Sequence, residues 1–293
     1  MGTLKTLVEE QSKVHQQSKY INEDPQVQNI YNDSIQKGQE ILNGTTDDVL
    51  NNNKIADAIQ NIQLTKNDLH GEQKLQKTQQ DANNELNYLT NLNNSQRQSE
   101  HDEINSAPSR TEVSNDLNHA KALNEVMRQL ENEVALENSV KKLSDFINED
   151  ESAQNEYSTA LQKAKDIING VPTSTIDKAT IEDALLELQN ARESLHGEQK
   201  LQEAKNQAVA EIDHLQVLNP GQVLAEKTLV NQASTKPEVQ EALQKAKELN
   251  EAMKALKTEI DKKEQIKADS KYINADSGLQ ANYNSALNLS LIH

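Results

Sequence analysis

Apolar residues recur along the chain at alternating intervals of three and four, the stripe of an amphipathic helix. The clearest run is 111–148, TEVSNDLNHAKALNEVMRQLENEVALENSVKKLSDFIN, which contains neither Gly nor Pro. Val113, Leu117, Ala120, Leu123, Met127, Leu130, Val134, Val140, Leu143 and Ile147 keep to one slowly drifting face. At 1.5 Å per residue this predicts a single helix of about 55 Å. That is longer than a small bundle needs, so one helix is expected to serve two neighbouring bundles.

Stops and starts divide the rest. Asp24 stands at an N-cap position with Pro25 in the first turn, where its missing N–H costs nothing. That helix is expected to run to ILNG, where Gly44, like Gly170 later, is placed to take the left-handed C′ conformation. A loop follows (TTDD at 45–48, VPTST at 171–175), and a new helix starts near 51 or 177. Further turns fall at NLNNSQ (91–96) and VLNPGQ (217–222), where Asn219 caps ahead of Pro220. Others fall at SAPSRTEV (106–113) and QASTKPEV (232–239). The pattern thus predicts two three-helix bundles per unit. One combines the end of a long helix with about 25–43 and 51–70; the other combines about 72–91, 94–106 and 110–130.

These elements repeat. LHGEQKLQ at 69–76 returns at 195–202, an offset of 126 residues that holds elsewhere without gaps. AKALNEVMRQL (120–130) lies over AKELNEAMKAL (246–256). SKYINEDPQVQNIYNDSI (18–35) lies over SDFINEDESAQNEYSTAL (144–161) and again over SKYINADSGLQANYNSAL (270–287). The start, where Leu4 and Val8 align with Leu130 and Val134, reads as the tail of a preceding helix. Tyr20, Phe146 and Tyr272 are equivalent, as are Tyr31, Tyr157 and Tyr283; they fall on the apolar stripe and are read as core residues rather than a stacking platform. LHGEQKLQ itself sits between the two bundle types. Because the stripe passes Gly197 almost in phase, a continuous or gently kinked helix is favoured there, with a C-cap break at His70-Gly71 as the alternative. Either way it is a joint.

Composition agrees with narrow solvated helices. Only 34% of the 293 residues are hydrophobic and 2% aromatic, with one Phe, no Trp and no Cys. Thirty basic and 47 acidic residues give a formal charge of −17, which repels phosphate backbones and anionic lipid. Nucleic acid is therefore not an expected partner, nor is direct membrane contact. No apolar run approaches the roughly 20 residues of a membrane helix, no signal peptide is visible, and the absence of Cys rules out disulfides.

Candidate chemistry is sparse. His70 with Glu72 and His196 with Glu198 form His-x-Glu pairs, but residues two apart do not face one another on a helix and two ligands do not close a zinc site. The acidic clusters NEDP (22–25) and NEDES (148–152) lack the glycine and alternating oxygens of a calcium loop; favourable placement at helix N-termini is the reading preferred here. There is no phosphate loop, nucleophile elbow or convergent carboxylate pair. No catalytic, cofactor or metal site is assigned, no enzymatic activity is expected, and no ligand-binding residue is singled out.

YNDSIQKGQEILNG, HGEQKLQKTQQDANNELNYLTNLN and HAKALNEVMRQL together resemble the alternating FIVAR-type and GA-type modules of the Ebh family, the giant staphylococcal cell-wall adhesins called extracellular matrix-binding protein homologues. The resemblance covers nearly the whole chain. It implies the following division: 1–17 as the tail of a linking helix; 18–70 and 144–196 as FIVAR-like bundles; 71–143 and 197–269 as GA-like bundles with their linking helices; and 270–293 as the truncated start of a third copy. It also implies display at the cell surface, cell-wall association, and partners among host matrix proteins such as fibronectin or cell-wall components. Albumin, the ligand of related GA modules, is disfavoured because NSQRQSEHDEINSAPSRTEV and GQVLAEKTLVNQASTKPEV are polar and acidic. The expected molecule is a monomeric all-α chain of tandem three-helix bundles, joined by long shared helices into an elongated rod. Its expected role is that of a stiff spacer, with weak multivalent binding as the alternative. Exposed positions differ between NNSQRQSEHDEI (93–104) and NPGQVLAEKTLV (219–230), which argues against one ligand reading every copy.

Overall fold

The computed structural model describes residues 1–45 and 51–292, and every regular element among them is an α-helix. In chain order they are α1 (Gly2–Glu9), α2 (Gln11–His15), α3 (Ser18–Ile21), α4 (Pro25–Leu42), α5 (Asn52–Asn67), α6 (Gly71–Leu86), α7 (Asn94–Ser106), α8 (Arg110–Ala135) and α9 (Glu137–Val140). They continue with α10 (Ser144–Ile147), α11 (Glu151–Asn169), α12 (Lys178–Glu193), α13 (Gly197–Asp213), α14 (Pro220–Gln232), α15 (Lys236–Asp261), α16 (Lys263–Ala268), α17 (Ser270–Ile273) and α18 (Ser277–Ile292). The chain forms two compact units, residues 1–135 with 162–187, and residues 136–161 with 188–293.

In the first unit, α1, α4 and α5 pack on one another, and so do α6, α7 and α8. The first of these bundles closes over Leu4, Val14, Tyr31, Ile35, Ile41, Ile62 and Leu69. Leu4 and Ile62 are fully buried, each contributing about 1.5–3 kcal/mol by removal from water. α1 is therefore a structural member of the bundle. α4 comes close to it because Gly38 has no side chain: a Cβ there would lie 3.0–3.2 Å from Ile62, Val8 and Leu4. The polar atoms inside are paired, Ser34 Oγ meeting Thr65 Oγ1 at 2.8 Å while the Thr65 hydroxyl also donates to the Asn61 carbonyl. In the second unit, α13, α14 and α15 pack mutually around Leu201, Ala208, Ile212, Val230, Val239, Ala242 and Ala246.

The helix ends follow the expected chemistry. Gly44 and Gly170 have φ of 66° and 68°. Around each, the C″ N–H bonds back to the C3 carbonyl (Thr45 to Glu40, Val171 to Asp166) and the glycine N–H to the C2 carbonyl, the Schellman pattern. Asn93, Asn219 and Thr235 form reciprocal capping boxes with Gln96, Gln222 and Glu238. The loop expected at 45–48 lies, beyond Thr45, outside the described residues.

Two expectations are overturned. The run 111–148 is not one helix. α8 ends at Ala135, Leu136 is a single-residue break that stays right-handed (φ −73°, ψ −11°), and Leu143 is extended with ψ 148° before the one-turn α10. The same two events occur 126 residues earlier, at Glu10 and Gln17, and later, at Lys262 and Asp269. At Glu10 the helical ladder survives the break, with Glu10 N–H bonded to Thr6 O and Val14 N–H to Glu10 O at 3.0 Å. The extended residue is where the helix truly stops. Leu143 and Ile147, which keep to the apolar stripe, are 53% and 49% exposed: tertiary contacts of the next turn override local propensity. At LHGEQKLQ, likewise, there is no continuous helix. α5 ends at Asn67 and α6 begins at Gly71, and His70 (φ −112°, ψ 24°) lies outside the helical region.

Of the six equivalent rings read as core, Tyr31 and Tyr157 are buried, while Tyr20, Phe146, Tyr272 and Tyr283 are half-buried. Each buried ring meets its partner edge-on, Tyr20–Tyr31 at 6.1 Å and Phe146–Tyr157 at 5.8 Å. The Tyr31 hydroxyl is buried with no hydrogen-bond partner, and burial, with the Glu10 charge adding to it, pushes its pKa up to about 12. Tyr31→Phe removes an unpaired buried polar atom and keeps the ring. Its expected effect on stability in urea unfolding is zero to about 1 kcal/mol of gain, and a loss above that size is incompatible with an unpartnered hydroxyl.

Candidate functional site: a clasp at the HGEQK joint

The joint is built from three segments brought together within each unit. In the first unit the turn after α3 carries Asn22, Glu23 and Asp24, the start of α6 carries Gly71 and Lys74, and the start of α8 carries Arg110. α6 begins against the backbone of that turn. A Cβ on Gly71 would lie 2.6 Å from the Lys19 carbonyl oxygen and 2.7 Å from the Glu23 nitrogen, closer than any side chain tolerates. This is the reason for glycine in the motif: neither turn geometry nor a left-handed φ requires it.

Around that contact the polar groups interlock. The Glu23 side chain is 1% exposed. Its carboxylate accepts the backbone N–H of Asp24 at 2.8 Å and of His70 at 2.5 Å, and pairs with the Lys74 ammonium. Asp24 receives Lys74 at 2.6 Å and Arg110 at 2.8 Å. Asn22 Oδ1 accepts the Arg110 N–H at 2.9 Å, while its Nδ2 donates to the Pro108 carbonyl at 3.1 Å. Burial alone raises the Glu23 pKa. The Lys74 ammonium and the two backbone N–H groups outweigh it and hold the carboxyl below its ordinary value. Asp24 is lowered by Lys74 and Arg110, and Lys74 is raised in return by Asp24 and Glu23.

The second unit repeats the arrangement. Glu149, 1% exposed at its side chain, accepts the N–H of Asp150 at 2.8 Å and of His196 at 2.6 Å and pairs with Lys200. Asn148 accepts the Lys236 N–H at 2.9 Å, Lys236 Nζ reaches Asp150 at 3.0 Å, and a Cβ on Gly197 would lie 2.6 Å from the Ser144 carbonyl oxygen. In the third copy Ala275 stands where the others have the buried glutamate.

The acidic clusters thus do more than the helix-terminus reading supposed. Asp24 occupies the N-cap position of α4, yet its side chain makes no capping bond; it holds cations from α6 and α8. His70, Glu72, His196 and Glu198 are exposed; the backbone N–H of each histidine enters the clasp, and that of Glu198 donates to Asp145 Oδ1 at 3.2 Å. Sequence reasoning missed Lys74, Arg110, Lys200 and Lys236. The available signal was the invariance of Asn-Glu-Asp and His-Gly-Glu-Gln-Lys between the two full copies. Among the described residues no group of three or more His, Asp or Glu side chains is placed to hold a metal, and no helix is long and apolar enough to cross a membrane.

Gly71→Ala forces backbone apart and is expected to destabilise the joint by about 1–3 kcal/mol, read as lost amide protection at 19–24 and 70–74 by hydrogen exchange; unchanged protection rejects the close approach. The carboxyls of Glu23 and Glu149 have folded-state pKa values below their unfolded ones. Their contribution to stability is therefore whole above about pH 4.3 and is lost as pH falls through the folded-state values. Thermal unfolding followed from pH 7 to pH 2 is expected to show that loss, with a smaller pH dependence in Glu23→Gln/Glu149→Gln.

The chain matches the FIVAR domain over residues 1–70, 126–196 and 252–289, and the GA module over 72–126 and 198–252. The clasp falls where the two module types meet. The chain is 38% identical over 287 residues, 98% of its length, to the extracellular matrix-binding protein EbhA of Staphylococcus aureus strain Mu3, and equally to extracellular matrix-binding protein ebh of strain MRSA252. It spans only 3–4% of the length of those relatives. A crystal structure of residues 756–1003 of EbhA from Staphylococcus aureus superposes with a TM-score of 0.79 at 25% identity, covering 84% of this chain and 98% of that one. Equivalent clasps at two FIVAR–GA joints, the alternation of the two matched modules and the likeness to EbhA lead to one assignment: the chain belongs to the family of FIVAR–GA repeats found in the staphylococcal extracellular matrix-binding proteins.

Proposed function

We propose that this segment is a stiff spacer of a giant surface adhesin, carried outside the cell in association with the wall, whose clasped joints transmit length from module to module. The observation that carries this reading is the repetition of the clasp. Glu23 with Gly71 and Lys74, and Glu149 with Gly197 and Lys200, fix the exit of one module against the entry of the next by the same contacts. A flexible linker would need none of them. The matched modules are those of matrix-binding repeat proteins.

A second reading, weak binding of host matrix protein repeated along the array, has its own support. Relatives carry the name extracellular matrix-binding protein, and Ile21, Ile147 and Ile273 are 50%, 49% and 61% exposed at the same position of each copy. Against a single ligand for all GA modules, α14 exposes Leu224 and Leu229 where α7 carries Gln98 and Glu103.

Small-angle scattering tests the spacer. A compact chain of this length has a radius of gyration of about 19 Å; the spacer is expected to exceed that value clearly, and a result near it rejects the reading. Titration against fibronectin and albumin separates the alternatives, since saturable binding at micromolar concentration or tighter establishes the second.

A further inference from the structure

Glu100 lies on the inner side of α7 with a side chain only 1% exposed, and His119 Nδ1 on α8 stands 2.9 Å from its Oε1. The histidine is 43% exposed, so the pair runs from the core of the first GA module to solvent. The charged neighbours are acidic. Glu103 faces Glu100 from α7 and Asp116 from α8, while Glu112 faces Asp116 and Asp177, just before α12, faces His119. Burial pushes the Glu100 carboxyl above its ordinary value, with Asp116 and Glu103 adding to the rise and His119 opposing it.

The second GA module is built differently at these positions. Glu226 occupies the place of Glu100, but Lys245 replaces His119, Ala242 replaces Asp116 and Leu229 replaces Glu103. Lys245 pairs with Glu241 at 2.7 Å. Its bond to Glu241 holds the Lys245 ammonium charged, whereas His119 meets the buried Glu100 carboxyl directly.

We propose that Glu100 and His119 form a pH-dependent latch confined to the first GA module, closed while the pair holds a proton and weakened once that proton leaves. With one proton shared, a buried carboxyl faces either an imidazolium or a neutral ring, and charge is balanced. With none, a bare carboxylate remains in the core beside Asp116 and Glu103. The folded state therefore holds the Glu100 proton more tightly than the unfolded chain, and its contribution to stability fades as pH rises through the folded-state value. That direction is opposite to the acid weakening of the clasp.

Hydrogen exchange on the whole chain, corrected for intrinsic rates, tests this with an internal control. Between pH 5 and pH 8 the protection of α7 amides is expected to fall about tenfold, while that of α14 amides stays level. Glu100→Gln removes the titrating acid, and His119→Lys supplies a permanent cation; each is expected to flatten the α7 slope. Parallel slopes in α7 and α14, or a wild-type α7 slope retained in both variants, overturn the proposal. If one variant fails to fold, the slope of the other decides.

Discussion

Everything at the joint rests on one buried carboxylate. Glu23, and its counterpart Glu149, is taken out of water at a place where two modules meet, a cost of several kcal/mol for an unpaired ion. It is held there because the next module supplies an ammonium and the joint supplies two backbone N–H groups. The satisfaction is reciprocal. Without the GA side the acid loses its ammonium, and without the FIVAR side Lys74 and the His70 N–H lose their acceptor. Gly71 makes the geometry possible by letting α6 start against the backbone at 19–23. Modules that each have a modest core are thereby committed to one relative placement at every such joint.

Much of this was legible from residue patterns. The three-four stripe set Leu123, Met127 and Leu130 on one face, where all three are buried, and Gly44 and Gly170 announced their own left-handed caps. What the stripe could not show was where a helix stops for tertiary reasons. Leu143 keeps the period and carries no breaker, but the chain turns there so that Ser144–Glu149 can receive Gly197. Gly197 keeps the phase of the stripe for the opposite reason: period alone does not distinguish a glycine tolerated inside a helix from one required by a backbone contact at its start. The clasp cations escaped notice because a lysine on an exposed helix face looks the same whether it points to solvent or to an acid some fifty residues away in sequence.

Equivalent positions diverge where packing permits. The capping boxes at Asn93 and Asn219 and the clasps at Glu23 and Glu149 are kept in both copies. The second and third GA helices vary outside their buried stripes, and one such change on the third places the His119 imidazole in the first copy where the second has the Lys245 ammonium. A repeat array built this way holds its joints constant while giving individual modules their own response to surroundings: acid loosens the joints by protonating Glu23 and Glu149, and alkali acts on Glu100.

The two halves of each clasp also belong to different modules, which has a genetic consequence. Duplication or deletion of whole 126-residue periods leaves every glutamate opposite its own lysine. An unequal exchange that removed a single module would set a FIVAR exit against another FIVAR entry and strand a carboxylate in a dry contact. The clasp thus favours changes of array length by whole periods over changes by a fraction of one.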